Sequence, residues 1–485
     1  LDKPEATIAV ALKDNAGTYT LKVGKESSAG AHYAQKDGDA TILPLEPDTH
    51  RLEKVGHFRG GDYYGLTASS LLLKDRDGKE YILSNIQKYP LILLPTALRE
   101  TFAKSWLKDA MSAQHPYAAV MGPVIANAVK VKHTNPTIGW IAPDDRLGYY
   151  EKEFAGTIGI IEDREPGDSS INTGNMLKQL DKSYNNRIDS VEFLKARLLD
   201  WFLGDWDQHE DQWRWQATHR GRTKYYTAIP HDRSATFFIS EGIIPKIASG
   251  QYVARFLKGY NAGSHTINGF YLNDHALNTR FMTQIGYEQW MSIAKNFASA
   301  LTDSVLEAAL RRLPLSIYKI HHQRLIKQMK RRRNELVKSA DTYYRFFNRR
   351  VDIKASDETE YFLVKDTLQG SLMVRVSKQK NQKPSEVLFA RVFDPAITKE
   401  VRIYVSKGDD SITVDNKSSH IKIRLIGGVG HKLYDLESGN RKVNVYEKLK
   451  SATFTGPDAS RIDKHLSNDT TNVSYVPTNL YHTFI

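Results

Sequence analysis

Acidic side chains are concentrated in a short stretch near the middle of the chain. Residues 198–215 read LLDWFLGDWDQHEDQWRW and include Asp207 and Asp211. A second segment, IPHDRSATF at residues 229–237, places Asp232 directly after a strand-like run. Two carboxylate-bearing turns, each following an apolar element, are typical of a site that holds a cation together with a polyanion.

Phosphoryl transfer needs a carboxylate that orients the attacking hydroxyl and a metal ion that neutralises phosphate charge. In this chain Asp207 is the candidate orienting base, and Asp232 is the candidate metal ligand. Gln212, or else Asp211, stands where a second oxygen ligand belongs. Carboxylate and amide oxygens are hard ligands, so these residue types favour Mg²⁺ over zinc.

The same residues also have a structural interpretation that involves no ligand. Acidic residues beside tryptophans can form a hydrogen-bonded loop whose indole rings fill the core, and Asp232 can pair simply with Arg233. On this interpretation His209 is a packed residue rather than a base or a ligand. Zinc is disfavoured in both cases, because the neighbours His321 and His322 point to different faces of a helix.

A glycine pair and a lysine are the candidate phosphate-binding residues. Gly60 and Gly61 lie in a predicted bend, and Lys88 follows two β-prone runs that an Asp-Gly turn joins. Glycine lets backbone amides approach a polyanion, and lysine supplies a point charge for the phosphates of ATP. Glu100 or Asp109, on the next predicted helix, is the candidate partner of Lys88. The alternative for the glycine pair is an ordinary turn.

A helix predicted over residues 191–203 delivers the acidic loop. Asp189 can cap its first turn, and Glu192 lies three residues later, as in a capping box. Apolar residues recur at helical spacing and also widen the stripe, so the helix should be buried nearly all round. Such a rigid support is what a precise site requires.

Length, charge and composition limit the classes of protein and partner to be considered. The chain has 485 residues, 40% hydrophobic and 26% charged, with a net charge of +12, which favours anionic partners. The absence of cysteine excludes disulfides and thiolate chemistry. No apolar run approaches the roughly 18 residues of a membrane-spanning helix. Because residue 1 is leucine, we expect a processed or truncated chain.

Composition divides the chain into successive segments. A strand leading into a polar linker and then into helices is typical of a two-lobed protein, and glycine-separated β-prone runs after about residue 353 indicate an all-β domain. We therefore expect an α+β fold with an N-terminal β segment (1–57), a β-rich N-lobe-like unit (58–170), a helical C-lobe-like unit (171–352), an all-β accessory domain (353–450) and an extended tail (451–485).

A long helix is predicted over residues 317–349, with a basic run, KRRR, at residues 330–333. Such a run can contact anionic lipid or nucleic acid, but it is more commonly a solvated helix face. No aromatic platform interleaves with it, so nucleic acid is an unlikely partner.

The acidic loop resembles a known catalytic segment. GDWDQHEDQW followed by IPHDRSATF is similar to the catalytic loop and metal-binding segment of atypical kinases, the lipid-kinase-like, toxin-kinase and secreted-kinase group with an Asp-x-His-x-x-Asn loop. The resemblance implies a two-lobed protein-kinase-like domain that uses ATP and Mg²⁺. The chain departs from the pattern at Gln212, where the group has Asn. A catalytically inactive, pseudokinase-like module is therefore the alternative.

Longer stretches resemble a second family, the soluble region of Bacteroidota outer-membrane proteins of the BamA/TamA-like surface-antigen type. They include residues 112–129, 330–344, 399–410 and 423–430, in addition to the acidic loop. This resemblance implies a cell-envelope location, periplasmic or associated with the outer membrane, and partners among outer-membrane proteins or an envelope complex. On this view the inactive module would serve assembly or secretion.

Overall fold

The structure is a computed structural model, and it describes residues 6–11, 18–23, 34–36, 46–47, 70–74, 79–85, 115, 117–144, 147, 150–164, 169–206, 208–237, 260, 267–271, 274–381 and 383–477. These residues form an α+β fold in which a β-rich lobe, a helical lobe and an all-β domain follow one another along the chain. The expected fold class is confirmed in this respect. Within the described part, no helix combines the length and the apolar character needed to cross a membrane.

The described residues of the N-terminal part form two antiparallel sheets. Strands β1 (Ala6–Ala11), β2 (Thr18–Val23) and β3 (Ala34–Lys36) form the first. The second has the order β4-β5-β6-β8-β7 and comprises β4 (Glu46–Pro47), β5 (Ser70–Lys74), β6 (Glu80–Asn85), β7 (Thr137–Trp140) and β8 (Ile158–Asp163). Helices α1 (Ala118–Ala128) and α2 (Glu151–Phe154) lie between its strands in sequence.

The helical lobe is built around helix α4 and a β-hairpin. Its elements are β9 (Ser170–Asn172), α3 (Thr173–Lys182), β10 (Asn186–Ile188), α4 (Ser190–Leu203), β11 (Trp213–Arg220), β12 (Thr223–Pro230), α5 (Ile267–Phe270), α6 (His275–Phe281), α7 (Tyr287–Ala300), α8 (Asp303–Leu310) and α9 (Leu315–Phe347). Most side chains of α4 are buried, as its all-round apolar pattern predicted. Trp213 and Trp215 of β11 are fully buried against Phe193 of α4.

The basic run of the long helix α9 is not wholly a solvated face. Arg332 is buried and donates hydrogen bonds to the backbone carbonyls of Trp201, Phe202 (3.2 Å) and Tyr260 (3.1 Å). Its guanidinium also lies 4.1 Å from the centre of the Trp201 ring. One arginine of the run therefore fastens α9 to the end of α4.

The all-β domain is a parallel β-solenoid. Its strands are β13 (Arg350–Lys354), β14 (Glu360–Asp366), β15 (Leu372–Lys380), β16 (Lys383–Phe393), β17 (Glu400–Ser406), β18 (Ser411–Asn416), β19 (Lys422–Gly428), β20 (Lys432–Gly439), β21 (Val443–Glu447), β22 (Ala452–Thr455) and β23 (Ile462–Leu466). One sheet has the parallel order β13-β17-β19-β21-β23. The other stacks β14, β18, β20 and β22 in parallel, and the antiparallel hairpin β15–β16 lies at its edge.

The chain alternates between the two sheets, so equivalent residues of successive coils lie above one another. Ile403, Leu425 and Val445 are in register and form one buried stack. In the other sheet Ile412 and Tyr434 are in register, and the ring of Tyr434 stacks on the ring of Phe454 in the next coil. Such stacking gives one continuous core, as in other repeat architectures. The last two strands lie in the segment that the sequence assigned to a tail.

Glycines form the solenoid corner after β19. Gly427-Gly428-Val429-Gly430 resembles the start of a calcium-binding glycine repeat, but His431 replaces the aspartate, and a turn was the expectation. Gly430 has φ +98°, and a Cβ there would lie 2.3 Å from the carbonyl oxygen of Gly408 in the preceding coil. Glycine is therefore required here by close stacking of backbones.

Residues after β23 fold back along the solenoid. The amide of Asn472 donates to the backbone carbonyls of Glu447 (3.0 Å) and His465 (2.9 Å). The carbonyl of Val476 accepts hydrogen bonds from the Tyr404 hydroxyl (3.0 Å) and from Arg402 (2.9 Å). The end of the solenoid is thus tied to its own coils.

Candidate functional site

Helix α4 precedes the acidic loop, and its first turn is capped by Asp189 as predicted. The Asp189 side chain accepts a hydrogen bond from the Glu192 amide at 3.3 Å. The helix ends at Gly204, whose φ of +73° lies in the left-handed region, and a Cβ there would lie 2.8 Å from the Tyr260 ring. The acidic loop therefore starts from a fixed point at the end of a buried helix.

The β11–β12 hairpin brings the two carboxylate-bearing segments together. Gln212 precedes β11 and His231 follows β12, and the His231 amide donates to the Gln212 carbonyl at 2.8 Å. The next residue, Asp232, has φ +46°, a conformation that aspartate tolerates better than most residues. Its Oδ2 lies 3.4 Å from Nε2 of Gln212. The two predicted metal ligands are thus adjacent although 20 residues separate them.

Arg233 forms ion pairs with the end of α4 and with the acidic loop, beyond the simple pairing with Asp232 that the sequence suggested. Its Nη2 lies 2.9 Å from Oδ1 of Asp200, and its Nη1 lies 3.2 Å from Oδ2 of Asp205. Arg197 pairs with the other oxygen of Asp200 at 2.8 Å. These groups are all buried, so their charges depend on one another for stabilisation.

Glu162 joins the N-terminal sheet to the Asp232 turn. This residue of β8 accepts a hydrogen bond from the Asp232 amide at 3.2 Å and another from the Thr134 hydroxyl at 2.6 Å. Burial, together with the nearby charge of Asp232, raises the pKa of the Glu162 carboxyl to about 7. Burial lowers the pKa of His231 to about 3, so the imidazole is neutral.

A small cavity lies between the lobes beside these residues. Its volume is about 10 Å³, which is close to the space that one water molecule or ion needs. It is lined by side chains from both lobes, including Ser84, His133, Thr134, Glu162, Asp232 and Arg233. Polar groups of two lobes therefore face one ion-sized space.

The fit to a divalent cation rests on the Gln212 amide. Its Oε1 is buried and makes no hydrogen bond within the described part of the chain. Rotating the amide exchanges oxygen and nitrogen, so the oxygen can face Asp232 when a cation lies between them. Among the described residues, no three His, Asp or Glu side chains are grouped as metal ligands. An oxygen pair from Gln212 and Asp232 fits Mg²⁺, which keeps several waters in protein sites.

Six of the predicted site residues lie outside the described residues: Asp207, Lys88, Gly60, Gly61, Glu100 and its alternative Asp109. The structure therefore places the two candidate metal ligands and leaves the predicted base and phosphate-binding residues as sequence predictions. Asp211, the alternative ligand, is exposed.

Sequence reasoning missed Glu162 and its partner Thr134. Glu162 follows an apolar strand and begins the polar run EDREPGD, which was interpreted only as a linker. A carboxylate at the inner end of a strand is the signal that could have identified it, but its contacts with residues 28 and 70 positions away are visible only in the fold.

No family model matches the chain, and no curated protein matches it. Solved structures similar to it include the Helicobacter pylori proinflammatory kinase CtkA, at 11% identity and a TM-score of 0.30, over 59% of this chain and 93% of that chain. The Shewanella oneidensis toxin–antitoxin complex of HipA, HipB and operator DNA matches at 10% identity and a TM-score of 0.30, over 64% and 76%. The Rio2 kinase from Chaetomium thermophilum matches at 15% identity and a TM-score of 0.24, over 53% and 71%.

Similarity at this level carries no functional conclusion for this chain. Kinases are among the similar structures, and none of those named here is a BamA/TamA-like surface antigen. The relationship to that family and the cell-envelope location stay predictions.

Proposed function

We propose that residues 58–352 form a kinase-like domain that binds ATP with Mg²⁺, and that Asp232 and Gln212 hold the metal ion. The observation that supports this most directly is the 3.4 Å approach of the Gln212 amide to the Asp232 carboxylate. The buried Oε1 of Gln212 makes no hydrogen bond among the described residues. Rotating this amide turns the oxygen toward Asp232, where it can coordinate a cation together with the carboxylate.

The remaining roles are assigned to residues outside the described part. Asp207 would orient the attacking hydroxyl, while Lys88 and the amides of Gly60 and Gly61 would contact the phosphates. Glu100 would hold Lys88 in place. When bound, Mg²⁺ supplies neutralisation of the phosphate charge. Among described residues, Glu162 contributes by fixing the amide of Asp232.

The second candidate is a catalytically inactive module that binds a protein partner of the cell envelope. The observation that favours it is the size of the cavity beside Asp232, because about 10 Å³ accommodates an ion but not a nucleotide. The presence of Gln212 in place of asparagine points in the same direction. The two candidates differ in whether nucleotide binds at all.

Thermal unfolding of the full chain separates the two candidates. Midpoints are measured with Mg²⁺ alone, with ATP alone and with both, since specific binding stabilises the fold by about 2.7 kcal/mol at a hundred times the dissociation constant. We expect a shift with ATP and Mg²⁺ together that Asp232→Asn loses. Asp211→Asn, which removes an exposed carboxylate of the same loop, should keep it. No shift at millimolar ATP and Mg²⁺ would favour the inactive module.

Release of ADP tests transfer itself. If the Asp207→Asn variant still shows the thermal shift but loses ATP turnover, the proposed division between base and metal ligands holds. Equal turnover in the parent and in this variant would contradict the role of Asp207.

A further inference from the structure

A second cavity lies between the helical lobe and the solenoid, away from the Asp232 site. It has a volume of about 130 Å³ and is lined by the region around β10, by the end of α6 and by strands of the solenoid. Its apolar lining residues include Ile188, Phe281 and Phe389. Its polar lining residues include Arg187, Ser190, Arg280, Lys354 and Glu360.

Three of these polar groups have atoms that are buried and make no hydrogen bond within the described chain. They are Nη2 of Arg187, Oγ of Ser190 and Oε2 of Glu360. Ser190 and Glu360 are 8% and 2% exposed, so water cannot readily satisfy them from the surface. Nη2 of Arg187 lies 3.8 Å from a carboxylate oxygen of Glu386, and this distance is too long for a hydrogen bond. The Glu386 side chain is itself largely exposed.

The charges around this cavity favour an anion. Arg280 and Lys354 share a single carboxylate, Asp181. Arg187 adds a further positive charge, because the Glu386 carboxylate 3.8 Å away is paired with Lys378 at 2.8 Å. Burial raises the pKa of the Glu360 carboxyl to about 8, so near neutral pH it is mainly protonated and can donate a hydrogen bond. Ser190 is the first residue of the 14-residue helix α4, whose N-terminus adds partial positive charge.

We propose that this cavity binds a small carboxylic acid with an apolar body of about the size of a benzene ring. Arg187 and Ser190 donate hydrogen bonds to the carboxylate, and the apolar lining residues contact the body of the ligand. A cavity of about 150 Å³ lined by apolar residues is known to accept benzene, so the volume of about 130 Å³ limits the apolar body of the ligand to about one benzene ring.

Such a ligand would contact two structural units at once. Arg187 and Ser190 belong to the helical lobe, whereas Glu360 and Phe389 belong to the solenoid. Binding would therefore stabilise the contact between the units, because only their docked arrangement forms the complete cavity. This role is independent of the proposed nucleotide site.

Calorimetric titration of the full chain with benzoate tests the proposal. Benzyl alcohol, which has a similar body but no charge, is the matched ligand. We expect benzoate to bind with a dissociation constant of about 1 mM or lower and at least about tenfold more tightly than benzyl alcohol. Equal affinity for the two, or no heat of binding with benzoate at 10 mM (roughly tenfold above that constant), overturns the proposal.

Variants then assign the contacts. Arg187→Met and Ser190→Ala should each weaken benzoate binding, the former by about tenfold or more. Arg222→Met removes an exposed arginine of the β11–β12 turn and should leave affinity within about twofold. Should Arg187→Met fail to fold, electron density for benzoate in crystals of the parent protein decides: benzoate in this cavity supports the proposal, and benzoate bound only elsewhere contradicts it.

Discussion

Oδ2 of Asp232 and Nε2 of Gln212 lie 3.4 Å apart at the meeting point of two chain segments that a β-hairpin folds together. The Asp232 amide is held at the same time by Glu162 of the other lobe. One turn therefore contacts the acidic loop through its side chain and the N-terminal sheet through its backbone. A cation at this turn would be sensitive to the length of the side chain at position 212.

Shortening that side chain is expected to weaken metal binding. Gln212→Asn removes one methylene, so the amide withdraws by about 1.5 Å from Asp232. We expect the Mg²⁺ concentration that gives half of the ATP-dependent thermal shift to rise about tenfold. Asp211→Asn serves as the control in the same loop. Unchanged or tighter Mg²⁺ binding in Gln212→Asn would mean that Gln212 is not a ligand.

Removing Arg233 is expected to destabilise the helical lobe. Arg233→Met leaves Asp200 and Asp205 without one of their cationic partners in a buried environment. We expect the free energy of unfolding to fall by about 3 kcal/mol in urea titrations followed by tryptophan fluorescence. Arg220→Met breaks the pair with Asp189, in which the arginine is 63% exposed, and should change stability by less than about 1 kcal/mol. If both variants lost a similar free energy of unfolding, burial of the Arg233 ion pairs would not explain their contribution to stability.

Glu162 should give stability a defined pH dependence. Since its pKa is raised from 4.5 to about 7, the folded protein retains this proton at pH values where the unfolded chain releases it. The stabilisation is fully present below about pH 4.5 and is lost as the pH rises through about 7. In Glu162→Gln the thermal midpoint should therefore fall less steeply over this interval. The corresponding difference in the free energy of unfolding is at most about 3 kcal/mol.

The control for this measurement is Glu288→Gln, which replaces an exposed carboxylate of α7. Other buried acids also titrate, so the informative quantity is the difference between each variant and the parent at every pH. A pH profile of Glu162→Gln that runs parallel to that of the parent would show that Glu162 does not titrate in this range.

The solenoid corner should not tolerate a side chain at position 430. Gly430→Ala combines φ +98° with a Cβ 2.3 Å from the Gly408 carbonyl oxygen, and we expect a loss of about 3 kcal/mol or more. Gly221→Ala is the matched control, because φ there is +61° and nothing lies within 4 Å of the added Cβ. It should lose only about 1–2 kcal/mol.

Hydrogen exchange is the appropriate measurement for this pair. All seven tryptophans precede residue 300, so fluorescence does not report on the solenoid. Faster exchange in β17 to β21 of Gly430→Ala, with unchanged exchange in the helical lobe, is the expected result. Unchanged solenoid exchange would show that the corner can rearrange.

Local signals in the sequence predicted the support of the site well. Asp189 and Glu192 marked the start of α4, the helix predicted over 191–203 is observed at Ser190–Leu203, and the one predicted over 317–349 is observed at Leu315–Phe347. Each of these features depends on residues within a few positions of one another. Capping and helical spacing are short-range effects, so they can be recognised without a fold.

Features that depend on distant contacts were not predictable in the same way. The role of Arg332 requires carbonyls about 130 positions away, and nothing in a basic run distinguishes the one buried member. The sequence carries only a weak signal of the solenoid: EVRIYVSKG at 400–408 and KIRLIGGVG at 422–430 share an alternating apolar pattern. That pattern predicts strands but does not specify parallel stacking, because antiparallel strands alternate similarly.

The hydrogen bonds of Asn472 and Val476 join coils at the two ends of the solenoid. Asn472 contacts carbonyls of β21 and β23, the last strands of one sheet, whereas Val476 contacts side chains of β17, the second strand of that sheet. A repeat array frays from its ends, because a terminal coil is stacked on a neighbour on one side only. Here the segment after the last coil is also bound to an early one, so fraying at the two ends of the array is coupled within a single polypeptide.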